Sequence, residues 1–157
     1  MNDVIEPWWA AARASLPDLP EDPPGAWAFG ATADHADELL SLVLAGVKTG
    51  TAMSLRECEL TGEAIPRAGD YSIILEGSGR PAAIIQTTRI DIVPFGDVDA
   101  DHAHAEGEDD RTLSAWRDIH ERYWRTYSPA GFAWDMPVVC ERFTLIHPAP
   151  ETAEVHP

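Results

Sequence analysis

The run Tyr71-Ser72-Ile73-Ile74-Leu75-Glu76-Gly77-Ser78-Gly79-Arg80-Pro81-Ala82-Ala83-Ile84-Ile85-Gln86-Thr87-Thr88-Arg89-Ile90-Asp91-Ile92-Val93 decides the fold class. Tyr71 to Leu75 has strand propensity, and Gly77-Ser78-Gly79 has the composition of a hairpin loop. Ala82 to Val93, rich in Ile, Thr and Val, reads as a long strand. Pro66-Arg67-Ala68-Gly69-Asp70 is the turn that feeds this pair, and Pro137 to Ile146 reads as a final strand that closes the core.

Helical patterns surround these strands. Residues 3 to 15 read as a short helix with Asp3 as N-cap and with Trp8, Ala12 and Leu16 on one stripe. Leu16-Pro17 through Pro23-Pro24-Gly25 is a connector that cannot be helical, anchored by Trp27 and Phe29. Thr32 or Asp34 caps the next helix, in which Ala36, Leu39, Leu42/Val43 and Gly46 recur at helical spacing. Asp97 to Asp110 reads as an acidic, His-bearing loop, with Asp109 or Asp110 opening the helix that follows. That helix carries Leu113, Trp116, His120, Tyr123/Trp124 and Tyr127, and ends at Ser128-Pro129. Strands and helices mixed in this order predict an α+β fold, its small, mostly antiparallel sheet curling into a β-barrel with flanking helices. Residues 1–26 form the N-terminal helix and connector, 27–147 the domain, and 148–157 a frayed tail.

Composition narrows the function. A chain of 157 residues with 45% apolar content can bury one real core. Its net charge of −16 works against generic nucleic-acid binding, which needs a basic stripe to release counterions. A small nucleoside-like ligand or an RNA end in a pocket fits this charge better. Cys58 and Cys140 lack metal-site or redox spacing and are expected to be reduced thiols. With no apolar run of membrane length and no basic leader, a cytoplasmic location without a membrane partner is expected.

Lys48 is the single lysine; the other basic residues are all arginine. Arginine replaces lysine on a solvated face, but not where a compact ammonium must fit a small pocket or give up its proton. Chance under an arginine-rich codon bias is the bland alternative. The spacing Lys48-x-x-Thr51 would set an amine and a hydroxyl one helical turn apart, if the turn is helix-like. A desolvated lysine there could activate the threonine as a nucleophile; alternatively it caps a helix C-terminus. The absent glycine spacing excludes a P-loop.

In His104-Ala105-Glu106-Gly107-Glu108-Asp109-Asp110, Gly107 permits a bend that could aim Glu106 or Glu108 inward. His102-x-His104 has a faint look of a metal site, but no third imidazole or thiolate is near in sequence, and neither metal nor cofactor is expected. Trp116, Trp124 and Trp134 could stack on a base, although Trp116 fits a core stripe and His120 a satisfied helix histidine.

Taken in order, Leu44-Ala45-Gly46-Val47-Lys48-Thr49-Gly50-Thr51, Ile65-Pro66-Arg67-Ala68-Gly69-Asp70-Tyr71, Val93-Pro94-Phe95-Gly96-Asp97-Val98, His104-Ala105-Glu106-Gly107-Glu108, Leu113-Ser114-Ala115-Trp116 and Val138-Val139-Cys140-Glu141-Arg142-Phe143 resemble the ASCH domain family, related to the PUA RNA-binding domain. The resemblance covers roughly residues 27 to 146. It implies a PUA-like barrel with a cleft beside the Gly-Lys-Thr turn and an RNA-related role. Some bacterial members are amidohydrolases acting on N4-acetylcytidine, and at least one is a ribonuclease. By that resemblance Lys48, Thr51 and Glu108 are the catalytic set, acting without metal. Glu106, Thr49, Trp116 and His120 are candidates for a second acid or for substrate contacts. The alternatives are an RNA- or nucleotide-binding module without catalysis and a metal-assisted ribonuclease.

Overall fold

The computed structural model describes residues 4–148, so the expected Asp3 cap and the tail beyond Pro148 lie outside the described residues. In chain order the elements are α1 (Ile5–Ser15), β1 (Ala26–Trp27), α2 (Ala33–Leu44), β2 (Gly50–Ser54), α3 (Leu55–Thr61), β3 (Tyr71–Leu75), β4 (Pro81–Pro94), α4 (Ala100–Glu106), α5 (Leu113–Tyr127) and β5 (Pro137–His147). The fold is α+β, as expected. The sheet runs β1-β3-β4-β5-β2. β3 with β4 and β2 with β5 are antiparallel, and β1 with β3 is parallel.

The expected closed barrel is not found. The sheet is open, with β1 and β2 as its edges. Closure needs every strand paired on both sides, and β1, only two residues long, offers little ladder to pair.

The described residues divide into two compact units, one built from the chain up to Gly46, Tyr71–Gln86 and the segment from Leu145 on, the other from Val47–Asp70 and Thr87–Thr144. In the first, Trp9, Ala12, Leu19, Ile73 and Ile84 form the core. Trp9 is the buried tryptophan of α1, and the expected stripe residue Trp8 is instead half-buried, edge-on to the His147 ring. The proline-rich connector is fixed by Trp9 Nε1 donating to Pro20 O at 3.0 Å and Arg13 Nε to Leu19 O at 3.2 Å. Thr32, not Asp34, caps α2 by accepting from the His35 N–H. The β3–β4 loop docks on α2 through Gly77 N–H, 2.7 Å from Asp37 Oδ1.

In the second unit Phe95, Val98, Trp116, Trp124, Met136 and Val138 are core residues, joined by Cys140 and, half-buried, Ala52. Two expectations fail here. The segment taken as an acidic loop contains α4, capped by the Asp99 side chain on the His102 N–H and closed by Gly107 in a left-handed conformation. Seven residues give too little periodicity to show a helix in the sequence. The cap of α5 is Thr112, while Asp110 accepts from both the Thr112 N–H and hydroxyl, an Asx-type turn one step earlier. Among the described residues no helix is long and apolar enough to cross a membrane.

Candidate functional site

The Val47-Lys48-Thr49 segment is not helical. Residues 47–49 carry no regular structure and lead directly into β2. Thr49 fixes this entry: its N–H donates to Ala105 O at 2.7 Å, its hydroxyl lies 3.5 Å from the same oxygen, and its carbonyl accepts from the Phe143 N–H at 3.0 Å. The helical premise for Lys48-x-x-Thr51 therefore falls away. α4 approaches the segment equally closely. A Cβ on Gly107 would stand 2.9 Å from Val47 O and 3.1 Å from Lys48 Cα, and the residue has φ +76°. Only glycine meets both conditions without strain.

This approach carries Lys48, 1% exposed, onto the end of α4. Its ammonium lies 3.2 Å from Glu106 O, 3.5 Å from Glu106 Oε1 and 3.3 Å from Glu108 Oε2. Both glutamates thus face the lysine. Glu106 is the hub, accepting from His102 Nε2 at 2.8 Å and Trp116 Nε1 at 2.9 Å, with His120 Nε2 at 3.3 Å. Burial alone would raise the Glu106 pKa; the charges of His120 and Lys48, with the bonds from His102 and His120, hold it well below the ordinary value. Glu108 keeps some contact with solvent, its side chain 15% exposed.

Geometry also assigns the two imidazoles. His120 presents both nitrogens to acceptors, Nδ1 at 2.9 Å from Trp116 O and Nε2 at 3.3 Å from Glu106 Oε1, which calls for an imidazolium. Burial disfavours that charge, but Glu106, with help from Glu108 and the Trp116 carbonyl, raises the His120 pKa above its ordinary value. The Trp116 ring stacks on it at 4.3 Å and 20°, an arrangement that favours a cation. His102 accepts at Nδ1 from Arg142 Nε at 3.4 Å, so its Nε2 carries the proton given to Glu106. Two cations, Lys48 and His120, thus face two carboxylates, Glu106 and Glu108, in a buried, charge-balanced cluster.

Thr51 enters the site differently. It lies half-buried on β2, directly opposite Glu141 of β5. Residues opposite each other in an antiparallel pair share a face. The neighbouring pair, Ala52 and Cys140, packs in the cluster around Trp116, so the pleat turns Thr51 and Glu141 to the opposite face. Lys48 connects the two sets, since its charge also favours the ionised form of Glu141.

Other candidates are dispersed. His104 is exposed beside Arg111 while His102 is buried, so the pair does not converge as metal ligands. Trp134 is 55% exposed and packs over Gly96. Asp109 and Asp110 are exposed. Glu106, Glu108 and His120 do offer three ligand atoms within 4.8 Å of one another. A divalent ion there would meet the Lys48 ammonium, so those donors suit a metal only if the lysine withdraws. Sequence reasoning missed Arg111, which ties α4 to the lysine segment through His104 O at 3.0 Å and Val47 O at 3.1 Å. It also missed roles for His102, Thr87 and Glu141. A carboxylate inside Val138-Val139-Cys140-Glu141 was the available signal, because apolar strands seldom bury an acid without reason.

The ASCH domain family matches residues 25–147, and the chain belongs to that family. It is similar to the crystal structure of a protein from Enterococcus faecalis V583, with 32% identity, TM-score 0.79, and 93% of this chain and 90% of that one covered. It is also similar in fold to an ASCH domain from Lactobacillus crispatus JV V101, with 23% identity, TM-score 0.75, and coverage of 90% and 91%. No curated protein matches.

Proposed function

We propose that the protein hydrolyses the N-acyl group of a cytidine-like nucleoside or related small amide. The observation that carries this reading is the buried Lys48 ammonium held 3.3 Å from the partly exposed Glu108. In the proposed mechanism Thr51 attacks the amide carbonyl and the Lys48 ammonium stabilises the oxyanion. Glu108 takes the threonine proton and passes it to the leaving amine, which opens an acyl-enzyme to water. Glu106, His120 and His102 hold Lys48 in place and are positioning residues. Attack requires Thr51 and the Lys48–Glu108 pair to reach one carbonyl from two sides of the β2 entry.

Incubation of the purified protein with N4-acetylcytidine tests this directly. Release of cytidine and acetate, unchanged by chelator, is the expected result. The donor trio Glu106, Glu108 and His120 favours a second reading, metal-assisted cleavage of RNA. Chelator-sensitive ribonuclease activity without deacetylation would replace the first reading with that one. Binding of cytidine with neither activity would leave a nucleotide-binding module.

A further inference from the structure

Glu141 is 1% exposed in the middle of β5. Its Oε2 lies 2.6 Å from the Thr87 hydroxyl, which donates to it. Its Oε1 is buried and has no hydrogen-bond partner among the described residues. A buried polar atom left unpaired costs about 1–3 kcal/mol, so a fold that keeps one calls for a reason. A bare carboxylate would make the position worse, since ionised groups bear the largest desolvation cost.

Charge arithmetic points the same way. Lys48 and His120 are already balanced by Glu106 and Glu108. A third carboxylate would have to share Lys48 with Glu106 and Glu108, because the other cation beside the cluster, Arg142, turns its Nε to His102 Nδ1 at 3.4 Å. Burial and the nearby Asp70 raise the Glu141 pKa, against the Thr87 bond and Lys48, which lower it. The groups around it are therefore Thr87 from β4, Thr51 opposite on β2, Asp70 in the turn before β3, and Lys48 at the entry to β2. With Thr87 donating to Oε2, the proton of a neutral acid belongs on Oε1.

We propose that Glu141 is the specificity-determining residue of this site: a neutral carboxylic acid whose Oε1–H donates to the ring N3 of a cytosine-type base held against Thr51. This rests on the nucleoside reading of the site but not on catalysis. A neutral acid beside the nucleophile distinguishes a ligand with an acceptor there from one with a ring N–H. Uridine, which carries a proton on N3, should therefore bind more weakly than cytidine.

The test is infrared difference spectroscopy on the full chain with cytidine as probe, comparing wild type with Glu141→Gln. At neutral pH the wild type should show a protonated carboxyl band that the variant lacks, and cytidine should shift it. Glu141→Gln keeps an N–H donor, so it should bind cytidine within about threefold of wild type, and cytidine binding should no longer weaken at alkaline pH. Glu141→Met, checked for folding by its thermal transition, should lose cytidine binding at least tenfold. An ionised Glu141 at neutral pH overturns the proposal. So does a protonated band that ignores cytidine, a folded Met variant that binds normally, or a Gln variant that keeps the wild-type pH profile. If cytidine shifts the band while N4-acetylcytidine is not hydrolysed, the proposal stands and the hydrolase reading falls.

Discussion

Gly107 lies against the backbone of Lys48, with no room between them for a methyl group: a Cβ would come within 3.1 Å of the lysine Cα. This contact, more than any side-chain bond, determines how near α4 can come to the lysine segment. Gly107→Ala should therefore destabilise the protein by about 2–3 kcal/mol, from both the left-handed backbone and the clash. Gly62 has a similar φ of +80° with nothing within 4 Å of its Cβ position. Gly62→Ala should cost only about 1 kcal/mol, the conformational part alone. Urea midpoints of the two variants decide the matter, and equal losses would remove the close approach from the account.

Lys48→Met deletes the cation facing Glu106 and Glu108. Uncompensated buried charge typically costs about 3–5 kcal/mol, so the variant should melt well below wild type. Lys48→Arg keeps the charge but must seat a larger, planar group in a site that is 1% exposed. It should fold with a lower melting temperature and show no deacetylation. A Met variant as stable as wild type would mean the cluster is not ionic.

Stability should peak in mildly acidic solution. Glu106 has a folded pKa below its ordinary 4.5, so its contribution is present above that value and fades as pH falls through the depressed one. His120 has a folded pKa above 6.5, so its contribution is full below 6.5 and is lost as pH rises through the raised value. Glu141, raised above its ordinary 4.5, contributes fully below that value and loses the contribution as pH rises through the raised one, so it tilts the optimum toward the acid end. Melting temperature followed against pH should be highest between 4.5 and 6.5, where Glu106 and His120 both contribute. Glu106→Gln should flatten the acid side, and retention of the full acid slope would move the titration elsewhere.

Generic duplex RNA or DNA should show no shift on a gel at physiological salt, because acidic residues outnumber basic ones 27 to 11. Tight, steeply salt-dependent binding to arbitrary RNA would favour the ribonuclease reading.

The sequence announced the long elements, because β4 and α5 extend far enough for composition and period to show. It concealed α4, where a cap at Asp99, seven residues and a terminal Gly107 look like an acidic loop. That omission hid the site's organisation. Glu106 and His102, four apart, share one helix face, which no loop reading could bring out. Lys48 stood out by composition alone and is where the buried charges gather. Thr51 was assigned by resemblance and by a helical spacing that the non-helical backbone removes. Glu141 carried a signal, an acid within an apolar strand, whose meaning depended on the Thr51 register and the Thr87 bond.

The burial of Lys48 has a practical consequence. With no second lysine in the sequence, the protein's surface offers no ε-amine to acylating reagents or to isopeptide attachment. Reductive methylation with isotopically labelled formaldehyde, the chain's α-amine aside, would mark a single side chain within the cluster. Its uptake would measure how often α4 lifts from the segment, and its resonance would report the occupancy of the site without any engineered tag.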